Sequence, residues 1–183
     1  MHRAPEGVRL LLAALWYQAE VRLWLHEFKF LGRTIEANAM AALLAAQVIT
    51  YYRRRQLRLP QFLVPVPMTG RAWAARGYNQ AELLAQAVSK ELGIPVLFLV
   101  QRTRQNKKAH RLNAQERAEG LQQSFRFQGK GSFTYGTRLA LIDDVLTTGA
   151  TLEAVALAIP QAGVIIDAWT VAYTPPPKLS TQP

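Results

Sequence analysis

The sequence predicts an α/β protein, a mostly parallel sheet flanked by helices. Three observations predict it. Apolar runs of strand length alternate with stretches of helical period from Phe62 to Tyr173. The run Leu139-Ala140-Leu141-Ile142 is apolar without alternation, as in a strand buried on both faces. It leads to Asp143-Asp144 and a Thr/Gly loop that enters a helix, the place where open α/β sheets bind ligands.

The elements follow in order. Leu10 to Tyr17 reads as a packed N-terminal helix; Arg3 and Arg9 before it give a faint likeness to a signal peptide, but no small-residue cleavage site follows. Thr34 is placed to cap an Ala-rich helix running to about Tyr52, with Glu36 in its first turn and Arg53, Arg54 and Arg55 at its end. Apolar residues surround most of its circumference, which predicts burial between layers. Phe62 to Val66 reads as a short buried strand. Asn79, with Glu82 three residues on, opens a helix whose apolar face is Ala81, Leu84, Ala85, Val88 and Leu92. Gly93 and Pro95 stop it, and Val96 to Val100 is the next predicted strand. Gln101 to Glu119 is polar and basic without hydrophobic period, and Ser124 to Gln128 reads as a strand returning from it. Arg138 to Ile142 is a strand ending at the acid pair. The helix after Gly149 carries Leu152, Val155, Ala156 and Ile159 on one face until Pro160 and Gly163, and Val164 to Tyr173 closes the sheet. This divides the chain into an N-terminal helical hood (1–59), an α/β core (60–174) and a frayed tail (175–183) that starts with three prolines.

Composition narrows the function classes. Half of the 183 residues are hydrophobic and 19% are charged, the balance of a globular chain. Twenty-two Lys and Arg against twelve Asp and Glu leave a net charge of +10, which attracts phosphorylated small molecules or nucleic acid. The absence of cysteine excludes disulfides, thiolate zinc sites and cysteine nucleophiles, and accords with a reducing cytoplasm. The longest nearly uncharged stretch, Ala37 to Tyr52, contains Asn38, Gln47 and Thr50 and is shorter than the ~18–20 residues that span a bilayer, so no membrane insertion is expected. His2, His26 and His110 have no metal-ligand spacing and read as packing or surface residues.

The chemistry concentrates after Leu139. Thr147-Thr148-Gly149-Ala150-Thr151 leads into a helix N-terminus, where unpaired amides and the helix dipole suit a phosphate. Gly149 permits close backbone approach, and the threonine hydroxyls add donors without bulk. Asp143 and Asp144 repel a phosphate, but they can accept hydrogen bonds from vicinal sugar hydroxyls or hold a hydrated Mg²⁺.

Strand, two acids and Thr-Thr-Gly-x-Thr loop together closely resemble the phosphoribosyl-pyrophosphate (PRPP) motif of type I phosphoribosyltransferases. The resemblance implies that type I fold, with Asp143 and Asp144 on the ribose hydroxyls and Thr147 to Thr151 around the 5-phosphate. A second segment narrows it further. Val64-Pro65-Val66-Pro67-Met68-Thr69-Gly70-Arg71, then Arg76-Gly77-Tyr78-Asn79-Gln80-Ala81, resembles the signature of the ComF family, the competence-protein-F-like phosphoribosyltransferases. Upstream, His26-Glu27-Phe28-Lys29-Phe30-Leu31-Gly32 resembles that family's Lys-aromatic-x-Gly segment, so the likeness runs from Leu15 to Ala172.

The family likeness carries further expectations. Pro67, Met68, Thr69, Gly70 and Arg71, with Arg76, would bind the pyrophosphate of PRPP. The segment from Gln101 to Glu119, with Arg102, Arg104, Lys107, Lys108 and Arg111, would be the flexible loop that closes over it. The reaction would be phosphoribosyl transfer with Mg²⁺ and pyrophosphate release to an unspecified acceptor. The alternative is a DNA-uptake accessory role in natural transformation, with single-stranded DNA or a helicase-type protein as partner. The chain departs from the family at three points. It has no cysteine, so it lacks the four-cysteine zinc ribbon with which many members begin. Ala109 stands where the family loop has Gln, and Gly120 where it has Asn.

Overall fold

The computed structural model describes residues 4–31, 34–103, 119–129, 133–160 and 162–174. The main sheet has four parallel strands in the order β1-β6-β5-β2: β1 (Leu10–Trp16), β2 (Phe62–Pro65), β5 (Arg138–Leu146) and β6 (Ile165–Tyr173). A second, two-stranded antiparallel sheet pairs β3 (Val100–Arg102) with β4 (Phe125–Phe127). The helices are α1 (Ala19–Leu31), α2 (Thr34–Arg54), α3 (Gly70–Arg76), α4 (Gln80–Leu92) and α5 (Ala150–Ala158), and residues 119–122 are also helical. Parallel strands need crossovers that place helices on the faces, and two core clusters result. One joins Leu12, Leu63, Ala140, Ile142 and Trp169 to α2 and α4; the other joins Val64, Leu139, Leu141, Ile166 and Ala168 to α5. The predicted class, a mostly parallel sheet flanked by helices, is the observed one.

Local chemistry explains the helix ends. The Asn79 side chain accepts from the Ala81 amide at 3.1 Å and donates to Val66 O at 3.0 Å, which joins the start of α4 to the end of β2. Gly93 closes α4 in the left-handed region at φ 68°, a conformation cheap only for glycine.

The structure corrects several expectations. Leu10–Trp16 is an edge strand paired with β6, from Leu10 beside Asp167 to Trp16 beside Tyr173. A seven-residue apolar run satisfies either reading, and the unpaired edge of β6 decides for a strand. The segment before residue 60 therefore contributes a strand to the core sheet as well as α1 and α2. Helix α2 buries one face, not most of its circumference: Ala37, Met40, Ala41, Leu44 and Val48 are inside, whereas Ile35 and Leu43 are exposed. The expected strand at Val96–Val100 shrinks to a single bridge between Val96 and Leu63, with β3 beginning at Val100. Helix α3 interrupts what reads as loop, and none of its residues is buried. Strand β5 continues through Asp143 and Asp144 to Leu146 instead of ending at Ile142.

Candidate functional site

Strand β5 carries its acid pair past the core. Leu139 to Ile142 are fully buried, Asp143 and Asp144 are half-buried, and Leu146 is inside again. The Asp144 amide donates to the Asp143 carboxylate at 2.9 Å, which orients that side chain at the sheet's carboxyl end. Beyond Leu146 the chain bends through Thr147 and Thr148, both exposed, and enters α5 at Gly149. Gly149 is required twice. Its φ is 82°, and a Cβ there would meet Pro5 Cγ at 2.8 Å. The N-terminal segment thus braces the loop from behind. The Thr148 hydroxyl accepts from the Ala150 amide at 3.3 Å.

Facing β5 across a pocket of about 250 Å³ are the end of β2 and the start of α4. Asp143, Asp144 and Thr151 line one wall; Pro67, Met68, Thr69 and Arg76 line the other. Thr69 caps α3 by accepting from the Ala72 amide at 3.1 Å, so its hydroxyl is already oriented. Arg76 donates to Gln80 Oε1 at 3.2 Å, which holds its guanidinium along the wall. Gly70 and Arg71 begin α3 and do not line the pocket, nor do Thr147, Thr148, Gly149 and Ala150.

Arg102 lies in the same pocket, on β3. Its guanidinium stacks over the Phe125 ring with the central carbon 5.0 Å from the centroid. Its Nε is buried without a hydrogen-bond partner. Burial lowers its pKa, and the Asp143 charge opposes that shift. A buried donor left unmade costs about 1–3 kcal/mol, a cost that an acceptor entering the pocket would relieve. Arg102 was expected on the flexible loop and instead stands on a strand at the loop's base. Arg104, Lys107, Lys108 and Arg111 lie outside the described residues.

Sequence reasoning missed Asn79 and Gln80 as pocket residues. Both were visible as the start of a capped helix, but what sets that start beside the strand end is the Asn79 bond to Val66 O across a segment that contains α3. Among the described residues no group of three or more His, Asp or Glu side chains could hold a metal ion, and no helix is long and apolar enough to cross a membrane.

The fold and the site define a mostly parallel α/β protein with an acid pair, a threonine loop and a half-buried arginine at the sheet's carboxyl end. Among characterised proteins the chain is 36% identical to competence protein F of Haemophilus influenzae, over 85% of this chain and 69% of that one. It is 31% identical to DNA utilization protein YhgH of Escherichia coli K12, covering 95% and 76%, and 29% identical to competence protein ComFC of Bacillus subtilis, covering 80% and 56%. The chain belongs to the competence protein F (ComF) family. No family model matches it. Among solved structures it is similar to adenine phosphoribosyltransferase from Leishmania tarentolae, 16% identical with a TM-score of 0.46 over 79% of this chain and 73% of that one.

Proposed function

We propose that the pocket between β5 and β2 binds PRPP and that the protein is a phosphoribosyltransferase-like member of its family. One observation carries this reading: Asp143, Asp144 and Thr151 share a pocket with Arg76 and the incompletely bonded Arg102. Carboxylates suit sugar hydroxyls, and guanidinium groups suit phosphates. On this reading Asp143 and Asp144 hold the ribose 2- and 3-hydroxyls, and the 5-phosphate extends from Thr151 in the pocket onto the loop Thr147 to Ala150 outside it. Pro67 to Thr69, Arg76 and Arg102 face the pyrophosphate. An acceptor nucleophile forms a bond to ribose C1 as the C1–O bond to pyrophosphate breaks, and the acceptor's proton passes to solvent. The acids stabilise the positive charge that develops on the ribose, and the arginines stabilise the departing anion.

Magnesium fits this donor set as an ion brought by the substrate. Asp143 and Asp144 are the acids that line the pocket, too few for a protein cage but enough to hold the waters of a hydrated ion. When bound, Mg²⁺ supplies charge neutralisation on the pyrophosphate. Titration calorimetry with PRPP and Mg²⁺, followed by an assay for pyrophosphate, tests the reading. Binding with release that depends on an added nucleobase or amine supports it; absence of PRPP binding overturns it.

A second reading places the protein in DNA handling within the cytoplasm. The names of its relatives, competence and DNA utilization, favour it, as does the exposed cluster Arg53, Arg54 and Arg55 at the end of α2, with Arg58 beyond. The partners would be single-stranded DNA or a helicase-type competence protein. Replacing those four arginines with Gln would flatten the salt dependence of DNA binding, because fewer counterions are released, and leave PRPP binding intact. An unchanged slope removes the cluster from that account.

A further inference from the structure

Helix α3 brings a cation to the candidate site and has no core of its own. None of its residues is buried, and its ends are held by the Thr69 side chain on the Ala72 amide and by Gly77 at φ 76°. Seven residues without a buried face are too few to be rigid by themselves. Yet Arg76, in the last turn of α3, lines the pocket, whereas Arg71 in the first turn does not. Whatever orients Arg76 comes from outside its own helix.

The residues that follow α3 are tied down at several points. The Tyr78 hydroxyl donates to Phe28 O of α1 at 2.6 Å, and the Asn79 side chain donates to Val66 O at 3.0 Å. The Val66 amide in turn donates to Ile142 O at 2.9 Å, one residue before the acid pair. The junction between α3 and α4 is thereby fixed to α1, to the end of β2 and, through it, to β5. Gln80 comes next as the first residue of α4, only 5% exposed, ahead of the buried Ala81, Leu84, Ala85 and Val88. Its Oε1 accepts from Arg76 Nη1 at 3.2 Å, and both residues line the pocket. A guanidinium is a rigid planar fork, so a hold on one nitrogen orients the whole group.

We infer that Gln80 is a positioning residue for the diphosphate end of the ligand: it couples Arg76 to the buried frame of α4 and adds no charge that would cancel the cation. This rests on the PRPP reading of the pocket. Another arginine of the fold shows the alternative design. Arg9 is gripped by the Asp167 carboxylate through two bonds, so the holder also neutralises what it holds. A carboxylate at position 80 would hold Arg76 as firmly and weaken its attraction for an anion. An amide of the same length holds it without that loss. The effect is confined to one end of the ligand, because the ribose and the 5-phosphate fall to Asp143, Asp144 and the loop ending at Thr151 on the opposite wall.

A double-mutant cycle tests this, with titration calorimetry of PRPP and Mg²⁺ on the wild type, Gln80→Met, Arg76→Met and the pair. Gln80→Met keeps the length of the side chain and removes the acceptor. It should weaken PRPP binding at least tenfold in the wild-type background, and less than twofold where Arg76 is already Met, because Gln80 acts through Arg76. Ribose 5-phosphate, which lacks the diphosphate, should lose less than twofold. Gln80→Glu keeps an acceptor of the same length and should also lose at least tenfold in PRPP affinity. Thermal unfolding checks each variant, and Gln80→Glu decides if Gln80→Met fails to fold. Unchanged affinity in Gln80→Met, equal losses in both backgrounds, an equal loss for ribose 5-phosphate, or wild-type affinity in Gln80→Glu would each overturn the inference and leave the PRPP reading standing. A wild type that binds no PRPP overturns both.

Discussion

The two ends of the sheet use the same chemistry, a carboxylate beside an arginine, and complete it to different degrees. At the amino end Asp167 is fully buried and fully bonded. Arg9 grips both of its oxygens, at 2.9 and 2.6 Å, and the Tyr52 hydroxyl donates to one of them at 2.5 Å. Trp169 Nε1 then donates to Tyr52 at 3.3 Å. At the carboxyl end Asp143 and Asp144 are half-buried in an open pocket, and Arg102 holds a buried Nε that nothing satisfies. A closed network stabilises and specifies; an incomplete one leaves a group that a ligand could satisfy. Mutation tests whether that difference separates structure from chemistry.

The largest stability effect should come from Asp167→Asn. Removing one partner of a buried ion pair leaves the other uncompensated, typically at about 3–5 kcal/mol. The Arg9 side chain is 36% exposed and can turn to water, so the lower part of that range, about 3 kcal/mol, is expected. Urea unfolding measures it. PRPP binding, where present, should change little. A loss below about 1 kcal/mol would mean that the network is not what fixes β1 against β6.

Tyr52→Phe should cost less, about 2 kcal/mol at neutral pH, within the range of roughly 1.5–3 kcal/mol for a hydrogen bond to a charged group. It also carries a pH signature. Burial, then the Asp167 charge and hydrogen bond, raises the Tyr52 phenol above its ordinary pKa of 10.0. Its stabilisation is therefore complete below about pH 10 and is lost as pH rises further, by about 1.4 kcal/mol per unit. Unfolding free energies measured from pH 8 to 11 should fall less steeply in Tyr52→Phe than in the wild type. Parallel curves would show that Tyr52 titrates normally.

The carboxyl-end site was legible because its parts are contiguous: β5, the acids, the loop and α5 follow one another within thirteen residues, Leu139 to Thr151. The Asn79 cap was legible for the same reason. The amino-end network was not, since Arg9 and Asp167 are 158 residues apart and Tyr52 and Asp167 are 115 apart. No local pattern announces such a contact. Leu10–Trp16 was misread because an apolar run of seven carries no period that separates strand from helix, and only β6 as a neighbour decides. Helix α3 escaped because it buries nothing and so has no apolar stripe. Arg102 was placed on the basic loop and stands on β3 instead, since a three-residue strand leaves too little pattern to be read.

Arg102→Met sharpens the comparison from the other side. It removes a buried donor with no partner and keeps an apolar chain to pack on Phe125. Stability should hold or rise by about 1 kcal/mol, while PRPP affinity falls at least tenfold. A drop in melting temperature would instead make Arg102 a structural residue like Arg9.

Asp143→Asn with Asp144→Asn should perturb the fold least and the ligand most. The two acids are adjacent, half-buried and of like charge, and the strand carrying them is fixed by Leu139, Leu141 and Ile142 on one side and Leu146 on the other. Neutralising both relieves their mutual repulsion but removes the Asp143 charge that favours the cation on Arg102. These terms oppose each other, so a net change within about 0.5 kcal/mol is expected, against about 3 kcal/mol for Asp167→Asn. PRPP binding should vanish, because an amide cannot replace a carboxylate as acceptor for two vicinal hydroxyls without placing a donor among them. Paired measurements decide it, thermal unfolding for stability and calorimetry for PRPP. Unchanged affinity would remove the ribose from these acids. A stability loss comparable to that of Asp167→Asn would erase the difference between the two ends of the sheet.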